Sequence, residues 1–119
     1  MEDAVPSDYL PLSATDFQLL LALTAGEFHG YAVSKAVREA SNGRVRIGLG
    51  SLYRIIARLL NAGIVEECES ENGPSEKDST RRRYRLTELG SDVLRAEVCR
   101  LSDAVDLARS SRLFADGEV

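Results

Sequence analysis

The stretch from Gly48 to Leu86 constrains the fold more than any other part of the chain. Within it Leu52, Ile56, Leu59 and Leu60 recur at i, i+4, i+7 and i+8, the single inward stripe of an α-helix. Ser51, Arg54 and Arg58 fall on the opposite face, with Tyr53 and Ala57 at its flank. Ala62-Gly63 ends that helix, and Ile64-Val65-Glu66-Glu67-Cys68-Glu69 follows with strand character. Asn72-Gly73-Pro74 is a turn, and the polar stretch through Thr80 reads as a mobile loop. Arg82-Arg83-Tyr84-Arg85-Leu86 then alternates, which places Tyr84 and Leu86 on one face of a return strand. A helix that runs straight into a hairpin with a basic return strand is the signature on which the rest of the chain is arranged.

Upstream, Ser13 is a natural N-cap for a helix through Phe17, Leu19, Leu20, Leu21 and Leu23, apolar enough to be buried on much of its surface. Asp16 sits near the positive end of that helix, and Gly26 closes it. A second helix fits Tyr31 to Ala40, with Tyr31, Val33, Ala36 and Val37 offered to a core and Lys35, Arg38 and Glu39 to water. Ser41-Asn42-Gly43 stops it, and Arg44-Val45-Arg46-Ile47 alternates as a short strand would. Gly48-Leu49-Gly50 opens the third helix. After the hairpin, Thr87 is the expected N-cap of a last helix, in which Leu94, Val98, Leu101, Val105 and Ala108 are spaced 4-3-4-3. Such a seam has a purpose only against a partner surface, whereas Leu89 and Val93 are expected to pack on the chain's own domain.

The order helix, helix, strand, helix, hairpin, long helix predicts a mainly α fold with a small β-hairpin: a winged helix-turn-helix plus a long C-terminal dimerisation helix. The expected boundaries are an N-terminal tail at 1–12, the DNA-binding domain at 13–86, the dimerisation helix at 87–113 and a tail at 114–119. The third helix spans about 49–62 and the wing about 64–86. The 119 residues allow one core, and no segment approaches the roughly 18 apolar residues of a membrane span. The acidic start lacks a secretory pattern, and Cys68 and Cys99 fit neither a disulfide framework nor a zinc cluster, so a cytoplasmic protein is expected. A single histidine, His29, argues against a metal cluster or a catalytic triad, and no phosphate loop or nucleophile motif supports an enzyme. No cofactor is implied.

The net charge of −4 conceals a strong segregation. Residues 30–62 carry Lys35, Arg38, Arg44, Arg46, Arg54 and Arg58 against Glu39 alone, and residues 80–85 carry Arg81, Arg82, Arg83 and Arg85 with no acid. Acidic stretches flank both blocks. Basic blocks that coincide with the third helix and the hairpin point to a nucleic-acid face.

The residues also resemble those of a known family. Leu20-Leu21-Ala22-Leu23 with Gly26-Glu27-Phe28-His29-Gly30-Tyr31, Gly50-Ser51-Leu52-Tyr53-Arg54 with Leu59-Leu60-Asn61-Ala62-Gly63-Ile64-Val65, and Arg83-Tyr84-Arg85-Leu86-Thr87-Glu88-Leu89-Gly90 resemble three blocks of bacterial PadR-type transcriptional regulators, in order and at family spacing. A single C-terminal helix is similar to the short subfamily. The resemblance implies a homodimeric repressor of double-stranded DNA. It also implies that a small hydrophobic effector, where one exists, sits near the dimer interface. Tryptophan, which some members use to hold flat ligands, is absent.

The candidate DNA-binding residues are Lys35 and Arg38 for flanking phosphates, Ser51 and Tyr53 near the third helix's N-terminus, and Arg54 and Arg58 for the major groove. Arg81, Arg82 and Arg83 are candidates in the wing. The candidate dimerisation residues are Leu94, Val98, Leu101, Val105 and Ala108. His29 and Tyr31 read as structural. The acids of the wing, Glu66, Glu67, Glu69 and Glu71, are expected to point away from DNA. The alternative function is a winged-helix protein–protein module without specific DNA binding, which the net negative charge favours.

Overall fold

The caps expected from the sequence set the helix boundaries in the computed structural model, which describes residues 5–26, 28–68 and 83–114. The Ser13 hydroxyl accepts the Asp16 N–H at 3.0 Å and starts α1 (Ala14–Leu23). Helix α2 spans Gly30–Ala40 and α3 spans Leu49–Asn61. Both end in the same way. Asn42 and Gly63 take left-handed backbone (φ 57° and 77°), and the next residues return N–H bonds into the last turn, Gly43 to the Arg38 carbonyl at 2.7 Å and Ile64 to the Leu59 carbonyl at 2.9 Å. The Thr87 hydroxyl accepts the Gly90 N–H at 2.9 Å and starts α4 (Glu88–Arg109).

Three short strands form one antiparallel sheet in the order β1-β3-β2, with β1 at Phe28–His29, β2 at Val65–Cys68 and β3 at Arg83–Leu86. The hairpin pairs Val65 with Leu86 and Glu67 with Tyr84, so Tyr84 turns into the core as its alternation implied. The third strand is not where the sequence pattern put it. Residues 44–47 keep the in–out alternation, with Ile47 buried and both arginines exposed, yet they form no strand. Their backbone is strapped to α2 instead: the Ser41 hydroxyl bonds the Val45 N–H at 2.9 Å and Ser34 donates to the Ile47 carbonyl at 3.0 Å. The free edge of β3 is taken by Phe28 and His29, which pair with Tyr84 and Arg83. The wing tip, including Arg81, Arg82, Glu69, Glu71 and the expected loop, lies outside the described residues, as does the side chain of His29.

One core joins all of this. Leu19, Leu20 and Leu23 of α1 meet Val33 and Val37 of α2, the Leu52, Ile56 and Leu59 stripe of α3, Ile64, Val65 and Tyr84 of the hairpin, and Val93 and Leu94 of α4. Leu94 was expected at the dimer seam; it is buried within its own chain, because the first turns of α4 cross the domain before the helix runs clear of it. Tyr31 departs in the other direction. It was offered to the core and is 68% exposed, since Val33 and Val37 already fill the inner face of α2.

Two contacts fix α4. Gly90 lies so close to the Ile64 carbonyl that a Cβ there would collide with it, and Thr87 bonds the same carbonyl through its N–H and its hydroxyl, both at 3.0 Å. Further along, Glu97 is 1% exposed; its carboxylate takes two bonds from Arg100 (2.6 and 3.0 Å) and accepts the Leu12 N–H at 3.0 Å. That bond holds the segment preceding α1, including a 3-10 turn at Pro6–Tyr9, against α4.

Gly90→Ala is expected to lower stability by about 3 kcal/mol, since the obstacle is backbone rather than a movable side chain, and the melting temperature by roughly 10 °C. An unchanged melt would contradict the close approach. The Arg100 bonds, against the opposing effect of burial, hold the Glu97 carboxyl below its usual range. The folded state therefore binds this proton more weakly than the unfolded chain. The contribution of Glu97 is complete above the ordinary carboxylate pKa and is lost as pH falls through the lowered folded value. Urea titrations at neutral and acid pH should show Glu97→Gln destabilising by about 1–2 kcal/mol at pH 7 and by progressively less on acidification.

Candidate nucleic-acid interface

The core leaves a row of exposed residues on each of α2 and α3. On α2, Tyr31, Lys35 and Arg38 follow one another at i, i+4 and i+7, all exposed. On α3, Leu49, Gly50, Ser51, Tyr53, Arg54, Ala57 and Arg58 are exposed, opposite the buried Leu52, Ile56 and Leu59. Helices α2 and α3 pack against one another. Neither helix carries an acid in its first turn, and the Gly48 N-cap of α3 offers no side-chain bond to the first N–H groups. Unpaired helix N–H groups favour anions.

The cations differ in their commitments. Among the described residues Arg54 makes no ion pair or side-chain hydrogen bond. Arg58, one turn on, donates to the Asp16 carboxylate of α1 at 2.9 Å, which also raises its pKa. Arg46 bonds the Gly43 carbonyl at 3.3 Å. In the wing, Arg85 pairs with Glu66 across the strands at 2.7 Å. Glu66 thus neutralises one of the wing's bases. Arg83 is partly buried and stands opposite Cys68. Cys99 is exposed on α4, and neither cysteine forms a disulfide.

Of the remaining expected seam residues, Val98 and Val105 are 43% and 44% exposed, while Leu101 and Ala108 are partly covered. The described residues contain no cluster of potential metal ligands, and none of their helices is long and apolar enough to cross a membrane. Sequence reading missed the exposure of Tyr31, although its spacing from Lys35 and Arg38 was legible. It also missed the Asp16–Arg58 and Glu97–Leu12 links, which join residues 42 and 85 positions apart and leave no local signal.

The PadR-like family of transcriptional regulators matches residues 19–96, from within α1 to the middle of α4. The chain belongs to this family. That family is one of transcriptional regulators, and the described residues fold as a winged helix. An uncharacterized 37.1 kDa protein in transposon Tn4556 of Streptomyces fradiae is 34% identical over 99 residues, 79% of this chain; the chain spans 26% of that protein's length. RosR of H. salinarum is 26% identical, with a TM-score of 0.62 over 87% of this chain and 84% of its own. A PadR family transcription regulator from Clostridium difficile superposes with a TM-score of 0.65 over 82% of this chain and 96% of its own; at 22% identity that likeness is one of fold.

Proposed function

We propose that this PadR-like protein is a repressor that binds a pseudo-palindromic operator as a homodimer. The observation that carries the reading is the exposed row of Ser51, Tyr53 and Arg54 at the open end of α3, beside Tyr31, Lys35 and Arg38 of α2. Arg54 has an unpaired guanidinium that suits the two acceptors of a guanine edge. Ser51, Tyr53, Lys35 and Arg38 suit phosphates, as do Arg81, Arg82 and Arg83 in the wing. Arg58 shares the row, but its guanidinium is committed to Asp16.

Dimerisation through the outer half of α4 is the second part of the proposal. Val98 and Val105 stand on the stretch of helix that leaves the domain, and with Leu101 and Ala108 they form a self-complementary stripe. A dimer on that axis would offer two α3 helices to successive major grooves, half-sites about 34 Å apart. Repression is then steric occlusion of a promoter. A small hydrophobic effector near the seam would act only by preferring one spacing over the other.

Two measurements test this. In sedimentation the full chain should run as a dimer, and Val105→Glu, at an exposed position, should run as a folded monomer with operator affinity reduced by at least tenfold. In anisotropy titrations across a salt series, Lys35→Ala and Arg38→Ala should each reduce the slope of log K against log salt by about 0.9. A slope unchanged in both, or affinity no better than for random duplex, would favour the protein–protein module.

A further inference from the structure

Arg58 faces DNA by its place on the helix, yet its bonds face the protein. Its Nη2 lies 2.9 Å from Asp16 Oδ1; the arginine side chain is 58% exposed and the aspartate side chain only 11%. Asp16 is itself immobilised. Its N–H is capped by Ser13, the neighbouring Leu12 N–H is held by buried Glu97 of α4, and Glu97 is clamped by Arg100. The pair therefore ties the C-terminal half of α3 to a fixed point shared by α1 and α4.

The other ties at this end of α3 are its apolar core stripe and the Ile64 peptide. Helix α3 packs chiefly on α2 and β2, with scant backbone contact to α1. Beside the pair, a cleft of about 240 Å³ separates Tyr9, Pro11 and Leu12 from Leu59 and Ile64. Asp16 and Arg58 line the same cleft, so the ion pair forms part of its wall. Moving Arg58 to a base edge would leave the poorly hydrated Asp16 carboxylate without its cation, a loss that a gained base contact must exceed.

We infer that Arg58 is a positioning residue for DNA recognition: its bond to Asp16 sets the tilt of α3 on α2, and so the angle at which Ser51, Tyr53 and Arg54 enter the groove. The inference rests on α3 being the reading helix. Arg54 reads; Arg58 holds the reader in place.

The test uses the full chain and a duplex that it enriches from a random pool. Asp16→Ala and Arg58→Ala should each weaken binding by about tenfold, and the double variant by no more than either alone. Arg58→Ala should leave the salt slope and the preferred sequence unchanged, and Arg58→Lys, which keeps a cation for Asp16, should recover part of the affinity. Thermal melts establish that each variant is folded, with Asp16→Asn as the milder substitution should Asp16→Ala not fold. The inference is overturned if the Asp16 variants bind like the parent while Arg58→Ala weakens binding, or if Arg58→Ala lowers the slope by about one as a lost phosphate contact does. Failure of the parent chain to enrich any duplex would instead defeat the assignment of α3 as reader, and the inference with it.

Discussion

The Ile64 carbonyl is the point on which the architecture turns. Ile64 closes α3 by returning its N–H to Leu59, begins the first wing strand, and offers its oxygen to the N–H and hydroxyl of Thr87, the cap of α4. Gly90 lets the first turn of α4 lie directly on that oxygen. Helix α3, the wing and the C-terminal helix thus share one peptide group, and backbone contact joins them there. A domain of this size has too small a core to fix three elements by apolar packing alone.

Polar ties complete what the core leaves loose. The Glu97–Leu12 bond holds the short segment before α1 to α4, and the Asp16–Arg58 pair holds the first turn of α1 to α3. In both, a nearly buried carboxylate is matched to an arginine that keeps about half of its side chain in water. This arrangement lessens the desolvation cost of an ion pair while retaining its directional bond. The exposed cations Lys35, Arg38 and Arg54 take no part in these ties and remain available to an anionic partner.

Much of this was legible in the residues because it is encoded locally. The caps at Ser13 and Thr87, the stops at Asn42 and Gly63, the inward stripe of α3 and the alternation around Tyr84 each depend on neighbours a few positions away, and each stands where its chemistry implies. The errors share one cause. Four alternating residues at 44–47 satisfied a strand pattern, but Ser34 of α2 and Ser41 just beyond it offered their backbone nearer partners. Leu94 fitted a heptad seam equally well as an intrachain core position, because period alone does not say which surface lies opposite. The bond of Arg58 to Asp16 was not legible either, since nothing near Arg58 in sequence announces it.

The central claim is that the core and its ties exist to present one face, the outer rows of α2 and α3, to DNA. The most direct measurement is an amide-shift titration of the full chain with a duplex it selects. The account predicts the largest changes at Leu49–Arg54 and Tyr31–Arg38, with small ones along the outer half of α4. Changes confined to α4, or spread evenly over the surface, would contradict it.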